Sequence, residues 1–404
     1  MVAPKRKIIN DPVYGFITIN HPLIFSILAH PYYQRLRRIT QMAMGQLVYP
    51  GAVHTRFHHS LGAYHLMGNA VNELRSKGTE ITEEEEIAVK AAILLHDIGH
   101  GPYSHALEHV VVKGVHHETL SLQIMHEMNA AFDGQLTLAI QIFTGAYHKP
   151  FLHQLISGQL DVDRMDYLSR DSFFCGVSEG VIGYDRILKM LVVVDGQLMI
   201  EEKGIYSVEK FLVARRQMYW QVYLHKTVLS AEKMMVKILE RARSLYTSTD
   251  PAMQTQSALD YFLGAFTGVM DSFALAQFCA LDDHDIMHAI KRWSAHPDKV
   301  LSLLCSRFLT RKLYKTTIQS EPFLAATIAA KQKESVDAFE LDPSEVDYVC
   351  FTGEATNTLY QTKDERINIL FKDGSIKDIS LIDNALIHQN LSAAVKKNYI
   401  CQLL

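Results

Sequence analysis

The sequence lacks the features of a membrane or secreted protein. None of its apolar runs approaches the roughly 18 residues that a membrane-spanning helix requires, and its first seven residues contain no apolar signal core. The few cysteines show no paired spacing, which is typical of reduced thiols rather than of a disulfide framework. They are Cys175, Cys279, Cys305, Cys350 and Cys401. We therefore expect a cytoplasmic protein without membrane attachment.

The sequence also lacks an excess of charge. Its 40 Lys and Arg residues face 44 Asp and Glu residues, a net charge of −4, which argues against a broad, charge-driven nucleic-acid surface but not against a local basic pocket for phosphates. No internal repeat or low-complexity segment occurs, and 404 residues that are 48% hydrophobic can bury one large core or two modest ones. Histidine stands out, with 20 residues, over half of them before position 155.

The rest of the chain is organised around segment 94–105, which reads Leu-Leu-His-Asp-Ile-Gly-His-Gly-Pro-Tyr-Ser-His. An apolar helix is predicted from about Glu85 to Ile98, and Thr82 stands at capping-box spacing before Glu85. The glycines and the proline that follow would end this helix. The doublet His96-Asp97 would then lie on the last turn of a buried helix, where unpaired polar groups cost about a few kcal/mol.

A metal ion is a common partner for such a doublet. Adjacent side chains point about 100° apart around a helix, so His96 and Asp97 can both reach a cation at the helix end. His59, at a predicted helix start, and Asp163, on a polar stripe, would complete a set of four N/O ligands. Such a set suits Mn, Fe, Zn or Ni, leaves room for water, and is what metal-assisted phosphate-ester hydrolysis requires. Taken alone, the doublet favours a core histidine bonded to a carbonyl, and only the accompanying His59 and Asp163 favour the metal site.

The remaining patterns predict a mainly α fold. The predicted elements are an extended segment over 7–20 with a turn at Asp11-Pro12, helices over 21–29, from 31, over about 54–76, from 115, over 163–171 and over 207–246, further helices over 255–330, a loop over 41–50, and β-hairpins around Asp195-Gly196 and over 367–379. We expect a helical body with small β-hairpins over residues 1–330 and a small α+β region over 331–404.

Six blocks of sequence occur in the order in which a known enzyme family carries them. They are Asn10–Gly15, Tyr33–Arg37, His54–Gly62, His96–His105, His117-Glu118 and Asp163–Asp171. With its His59…His96-Asp97…Asp163 pattern, the chain resembles the HD-domain phosphohydrolase superfamily and, within it, bacterial members of the deoxynucleoside triphosphate triphosphohydrolase branch. The similarity covers roughly residues 5–235, so the expected fold is an HD-domain helical body.

The resemblance implies an activity and a site. Members of this branch convert a deoxynucleoside triphosphate (dNTP) and water into a deoxynucleoside and inorganic triphosphate. The implied metal ligands are His59, His96, Asp97 and Asp163. The implied catalytic residues are His100, His105 and His117, with His105 as general acid for the departing 5′-oxygen. The implied substrate-binding residues are Gln41, Arg56, Arg164, Tyr167, Asp171, Arg215, Tyr223 and Lys226. The implied cofactor is one divalent transition metal, and Mg²⁺ would accompany the triphosphate.

The resemblance also implies regulation by a nucleotide bound between subunits of a homotetramer. The matching positions are Lys7, Asn10, Gln34 and Arg37. Ala29 stands where regulated relatives present a carboxylate that reads a guanine activator, so an activating deoxynucleotide is expected rather than GTP. Leu224 stands where relatives can carry a polar residue near the base, which leaves base contacts open.

Two other functions remain compatible with the sequence. The same metal site could hydrolyse another phosphate ester, such as a nucleoside monophosphate or a cyclic nucleotide. Alternatively, the chain could be a nucleotide-sensing protein without turnover, although a pure binder need not keep an open metal position. For Lys7 and Arg37 the alternative to nucleotide binding is that they form surface ion pairs.

Overall fold

The computed structural model describes residues 6–112, 114–357, 366–382 and 395–404, and its fold is mainly α with small sheets. The helices are α1 (Pro22–Ala29), α2 (Pro31–Gln34), α3 (Arg56–Ser76), α4 (Glu83–Leu95), α5 (Glu108–Val111), α6 (His117–Ala131), α7 (Thr137–Phe143), α8 (Pro150–Gln154), α9 (Val162–Cys175), α10 (Tyr184–Met190), α11 (Ile205–Met218), α12 (Lys226–Leu245), α13 (Leu259–Gly264), α14 (Ser272–Ala280), α15 (Asp283–Trp293), α16 (Lys299–Leu309), α17 (Ala325–Phe339) and α18 (Val346–Val349). The strands are β1 (Lys7–Asp11), β2 (Gly15–Ile19), β3 (Leu191–Val194), β4 (Gln197–Glu201), β5 (Lys315–Gln319), β6 (Cys350–Asn357), β7 (Asn368–Leu370), β8 (Ile376–Asp378) and β9 (Val395–Gln402).

The strands form three small sheets. β1 and β2 pair alone, β3-β4-β7-β8 form a second sheet, and β5-β9-β6 form a third. Both predicted hairpins are confirmed, because β3 pairs with β4 and β7 pairs with β8, each antiparallel. Asp195 and Gly196 have φ values of 50° and 76°, as a two-residue type I′ turn requires.

The helix before the His-Asp doublet has the predicted capping box, begins at Glu83 rather than at Glu85, and ends earlier than predicted. Thr82 Oγ1 accepts from the Glu85 backbone N–H at 3.2 Å, and the Glu85 carboxylate accepts from the Thr82 N–H at 2.8 Å. The α-helix ends at Leu95 rather than at Ile98, and the chain turns tightly around the doublet. Gly99 explains the turn: a Cβ there would lie 2.2 Å from the His117 carbonyl oxygen, so only glycine lets the chain pass so close to α6.

The single long helix predicted over 207–246 is wrong. α11 continues into a π-helical turn at Tyr219–Tyr223. The helix is interrupted at Leu224, and α12 begins as a separate helix. The His225 ring supplies the cap, since its Nδ1 accepts from the Thr227 N–H at 3.2 Å. Apolar periodicity runs across both helices and therefore hides a break that a capping histidine makes.

The C-terminal part of the chain combines helix and strand. The boundary predicted at 330–331 falls inside α17, and β5, which precedes that boundary, pairs with β9 beyond it. The division into two regions therefore stays a prediction, and a cut at that point would split a helix. Among the described residues, no helix is both long enough and apolar enough to cross a membrane.

Three helices position the predicted site. α3 packs against both α4 and α9. The start of α3, the end of α4 and the first turn of α9 thus come together, although they are far apart in sequence. Apolar side chains such as Leu66, Ala92 and Leu168 are fully buried around this junction, so the packing fixes the relative placement of the three helix ends.

Candidate active site

The structure brings the four predicted metal ligands together. Asp163 Oδ1 lies 3.0 Å from His59 Nε2 and 3.4 Å from His96 Nε2. Asp97 approaches the two rings with different oxygens: its Oδ1 lies 3.3 Å from His96 Nε2, and its Oδ2 lies 3.5 Å from His59 Nε2. These separations match those between neighbouring ligand atoms around one transition-metal ion with bonds of about 2.0–2.2 Å.

Two of these ligand atoms lack hydrogen-bond partners. The Nε2 atoms of His59 and His96 are buried and make no hydrogen bond within the described part of the chain, because the nearby carboxylate contacts lack the required geometry. Their Nδ1 atoms are engaged on the opposite side, His59 with Asp166 at 2.8 Å and His96 with the Ile93 carbonyl at 2.6 Å. Imidazoles oriented through Nδ1, with Nε2 directed at carboxylates, fit a divalent metal ion.

Charges around these ligands shift their pKa values. Burial lowers the pKa of His59, but the nearby carboxylates of Asp163 and Asp166 outweigh it and raise the pKa to about 10. Burial raises the pKa of Asp163, but contacts with His59 and His96 hold it well below its usual range. Without a cation the site would therefore retain protons that metal binding releases.

Arg56 contacts the ligand set directly. Its Nη1 donates to Asp97 Oδ2, and its Nε donates to Ser104 Oγ at 2.9 Å. Ser104 and its neighbour Tyr103 both have positive φ, 52° and 54°. The Tyr103 N–H donates to Asp283 Oδ1 at 2.7 Å, which stabilises this strained loop.

The three predicted catalytic histidines form a cluster held by Glu108. Glu108 Oε2 lies 3.1 Å from His105 Nδ1, and its Oε1 lies 2.7 Å from His117 Nδ1. His100 Nε2 and His105 Nε2 are 3.3 Å apart. Burial, with Arg56 nearby, lowers the pKa of His100 well below its usual value, so the His100 ring is neutral. His105 is the accessible member, with 64% of its side chain exposed.

A cavity of about 580 Å³ opens onto these groups. The predicted site residues that line it are Gln41, Arg56, Asp97, His100, His105, His117, Asp163, Tyr167, Asp171, Arg215 and Tyr223. His59 and His96 lie behind Asp97 and Asp163. Arg164 and Lys226 are not part of the lining: the Arg164 Nε donates to the Gly158 carbonyl at 2.6 Å, and Lys226 is exposed beside a separate pocket.

Asp171 and Tyr223 form one side of the cavity. The Tyr223 hydroxyl donates to Asp171 Oδ2 at 2.8 Å, and His54 Nε2 contacts Asp171 Oδ1 at 2.6 Å. Tyr167 packs nearby, its ring centroid 6.5 Å from that of Tyr223. Gln41 contributes a buried Oε1 without a hydrogen-bond partner among the described residues. This side of the cavity therefore presents the aromatic rings of Tyr167 and Tyr223, together with the unpartnered Oε1 of Gln41.

The residues predicted for regulation lie elsewhere, on an exposed face. Lys7 and Asn10 are exposed on β1, and Arg37 is exposed after α2. Arg37 Nε donates to Gln34 Oε1 at 2.9 Å, and its guanidinium lies 3.6 Å from the centre of the Phe57 ring. No carboxylate within ion-pair distance of Lys7 or Arg37 occurs in the described ranges.

Several side chains that contact the candidate site residues were not predicted from the sequence. Asp166 and His54 lie inside the recognised blocks, and they orient His59 and Asp171. The only available sequence signals were their positions: Asp166 lies three residues after Asp163, and His54 lies five residues before His59. Glu108 and the cavity-lining Glu232 lie outside every block, so nothing in the sequence pointed to them.

Comparison with protein families identifies two regions. Residues 56–171 match the model described as HD domain, and residues 182–263 match the model described as HD associated region. The first match begins at Arg56, ends at Asp171 and so contains all four metal-ligand candidates.

Individual relatives extend this similarity over nearly the whole chain. Uncharacterized protein YwfO from Bacillus subtilis is 31% identical over 93% of this chain and 87% of its own length. Deoxynucleoside triphosphate triphosphohydrolase SAMHD1 from Bos taurus is 26% identical over 100% of this chain and 73% of its own. The crystal structure of a phosphohydrolase from Bacteroides thetaiotaomicron is 48% identical, covers 98% of this chain and 100% of that one, and superposes with a TM-score of 0.91.

Proposed function

Because the chain belongs to the family of HD-domain phosphohydrolases, we propose that it hydrolyses deoxynucleoside triphosphates to a deoxynucleoside and inorganic triphosphate. One observation carries the proposal: a single cavity is lined by metal-ligand candidates, by a histidine cluster and by the Asp171–Tyr223 pair. Relatives named as triphosphohydrolases of this kind support the substrate class.

His59, His96, Asp97 and Asp163 would hold one divalent transition metal, such as Mn, Fe, Zn or Ni. The ion would supply Lewis-acid polarisation at the phosphate that is attacked. Arg56 already lies against Asp97, so its guanidinium is placed to bind a phosphate oxygen next to that site. Arg215, the second arginine of the lining, would bind oxygens further along the triphosphate, which Mg²⁺ would accompany.

His105 would donate the proton that the 5′-oxygen needs. Water adds to the α-phosphorus, the bond from phosphorus to the 5′-oxygen breaks, and the oxygen leaves as the deoxynucleoside 5′-hydroxyl. Glu108 accepts from His105 Nδ1, which stabilises the imidazolium that must give up a proton from Nε2. The exposure of His105 allows its reprotonation from solvent.

The sugar would lie against Asp171 and Tyr223. Asp171 accepts from Tyr223 and contacts His54, so its carboxylate is fixed where a 3′-hydroxyl could donate to it. Tyr167 and Tyr223 would pack on the ring, and Gln41 Oε1 is a free acceptor in the same region. Arg164 and Lys226 would need side-chain movement to reach the substrate from their observed positions.

Product analysis tests the proposal. The purified protein is incubated with each dNTP and Mn²⁺ or Mg²⁺, and the products are separated by chromatography. We expect deoxynucleoside and inorganic triphosphate in equal amounts, and no turnover by the Asp97→Ala variant, which should keep its helical circular dichroism but lose its metal. Orthophosphate release, or turnover of nucleoside monophosphates or cyclic nucleotides instead, would identify a different phosphohydrolase. Tight dNTP binding without products would identify a sensor.

A further inference from the structure

The three-histidine cluster of His100, His105 and His117 is oriented like a set of metal ligands. Each Nδ1 faces an acceptor: the Asp97 carbonyl at 3.2 Å from His100, and the Glu108 carboxylate at 3.1 Å from His105 and 2.7 Å from His117. Acceptors on Nδ1 favour the tautomer with the proton on that atom. The lone pair of each ring is then on Nε2.

The Nε2 atoms of His100 and His105 face each other, and the His117 ring lies beside both. His100 Nε2 lies 3.3 Å from His105 Nε2, and the ring of His117 lies 4.2 Å from that of His100 and 5.1 Å from that of His105, centroid to centroid. One ligand atom from each ring lies within 4.8 Å of the others. Two lone pairs facing each other at 3.3 Å are unfavourable unless a proton or a cation lies between them.

The spacing fits a metal ion. Zn–N bonds of about 2.0–2.1 Å in a tetrahedron place neighbouring nitrogens roughly 3.3–3.4 Å apart. His100 and His105 already have this separation. The His117 ring, tilted 33° from that of His100, would have to turn to direct its Nε2 at the same ion. A carboxylate that bonds the far nitrogen of two ligating histidines is also a common outer support of metal sites.

We propose that His100, His105 and His117 bind a second divalent transition-metal ion, with Zn²⁺ the best match, and that Glu108 orients two of the three ligands. This site shares no ligand atom with the one at His59, His96, Asp97 and Asp163. The ring of His100 separates the two, because its Nδ1 side faces Asp97 Oδ1 at 3.3 Å while its Nε2 faces the cluster. The largely exposed His105 leaves a path for the ion to enter.

Occupancy of this site has a consequence that rests on the proposed function. A metal on His105 Nε2 removes the proton that the 5′-oxygen requires, so zinc bound here would inhibit hydrolysis while the first site stays loaded. Binding itself does not depend on the substrate class, and it is the quantity to be measured.

Zinc binding is tested after removal of a ligand from the first site. Asp163→Ala and Asp163→Ala/His105→Ala proteins are stripped with chelator and titrated with Zn²⁺, and with Co²⁺ for its visible absorption. We expect one Zn²⁺ per chain and four-coordinate Co²⁺ bands in the single variant, and neither in the double variant. His126→Ala is the matched control, because His126 is exposed on α6, the helix that begins with His117, and its addition to Asp163→Ala should change nothing.

A substitution at Glu108 distinguishes its role in orienting the histidines from the role of the histidines as metal ligands. Glu108→Gln, added to Asp163→Ala, should weaken zinc binding by about 10- to 100-fold, the range found when the outer support of a metal site is removed. Circular dichroism checks that each variant is folded, and the exposed His105 side chain makes its replacement by Ala structurally mild. The proposal is overturned by absence of zinc binding to Asp163→Ala, or by equal zinc affinity with and without His105. These experiments measure only metal binding and not dNTP turnover. A wrong substrate class would therefore not change their outcome.

Discussion

Asp166 accepts a hydrogen bond from His59 Nδ1 at 2.8 Å, on the side of the ring that faces away from the cavity. Both side chains are fully buried. Asp166 also pairs with Arg170 at 2.9 Å, and Arg170 pairs with Asp11 at 2.8 Å. Gly62 makes room for this network, because a Cβ at that position would lie 1.9 Å from Asp166 Oδ1. A metal-ligand candidate is thus connected to the turn between β1 and β2.

Replacing Asp166 by Asn should weaken metal binding. An amide oxygen can still accept from His59, but it lacks the charge that makes the ring a stronger ligand, so affinity should fall by about 10- to 100-fold. Metal retention is measured by elemental analysis after timed exposure to a chelator. Asp185→Asn serves as the control, because Asp185 is an exposed carboxylate on α10. Equal retention by Asp166→Asn and wild-type protein would contradict this role.

The Tyr223 ring should exclude ribonucleotides. Its hydroxyl bond to Asp171 holds the ring in place, so a sugar bound against this ring, as proposed above, would have little room for a 2′-hydroxyl. Tyr223→Ala should therefore raise the turnover of ATP relative to dATP by roughly 10- to 200-fold, or about 1–3 kcal/mol of lost discrimination. Tyr223→Phe keeps the ring and should keep most of the preference. The ratio of kcat/KM values for dATP and ATP is the measurement, and equal turnover of both by the wild type would refute steric exclusion.

Glu232 should make substrate binding depend on pH. It lines the cavity, and burial raises the pKa of its carboxyl to about 7, although the charge of Lys233 lowers it somewhat. Below this pKa the group is neutral, and above it the cavity gains a negative charge that opposes a triphosphate. KM for a dNTP should therefore rise as pH increases through 7. Glu232→Gln stays neutral and should show a flatter profile. Identical profiles would show that Glu232 stays protonated or lies too far from the substrate.

Activation, where it occurs, should come from a deoxynucleotide rather than from GTP. Lys7 and Arg37 are exposed cations without carboxylate partners among the described residues, and Ala29 provides no acceptor for the guanine edge. Loss of such a charge-assisted pair costs on the order of 2–3 kcal/mol, or about thirty-fold or more in affinity. Hydrolysis is measured with and without GTP, alongside light scattering, for which a tetramer is expected. Strong stimulation by GTP alone, or a monomer at micromolar concentration, would contradict this expectation.

The candidate metal ligands could be predicted from the sequence, but the residues that orient them could not. His96 and Asp97 were recognisable because two polar residues at a helix end, inside an apolar stretch, need a partner. The start of α4 was predictable because a capping box depends only on local spacing. The hairpin at Asp195-Gly196 followed from backbone preferences for the same reason.

Features set by contacts distant in sequence could not be predicted. The bond from Glu108 to His117 and the contact of His54 with Asp171 depend on how helices pack. Lys226 was assigned to the substrate by the family resemblance, yet the helix break at Leu224 places it in an exposed position outside the cavity. An apolar pattern records which face is buried, and it does not record where a helix is interrupted.

Arg35 determines how far this chain can be divided. Its buried guanidinium donates to the carbonyls of Ile98 and His100 and also to that of Leu281. The next residues add to this connection, since Arg38 pairs with Asp282 and Thr40 donates to Asp283. A fragment over 5–235 would contain every recognised block, but it would remove the Leu281 carbonyl from Arg35 and the carboxylate partners of Arg38 and Thr40. The part of the chain that carries the candidate site is therefore not expected to fold as a separate unit. A truncated protein would need to include the segment around α14 and α15.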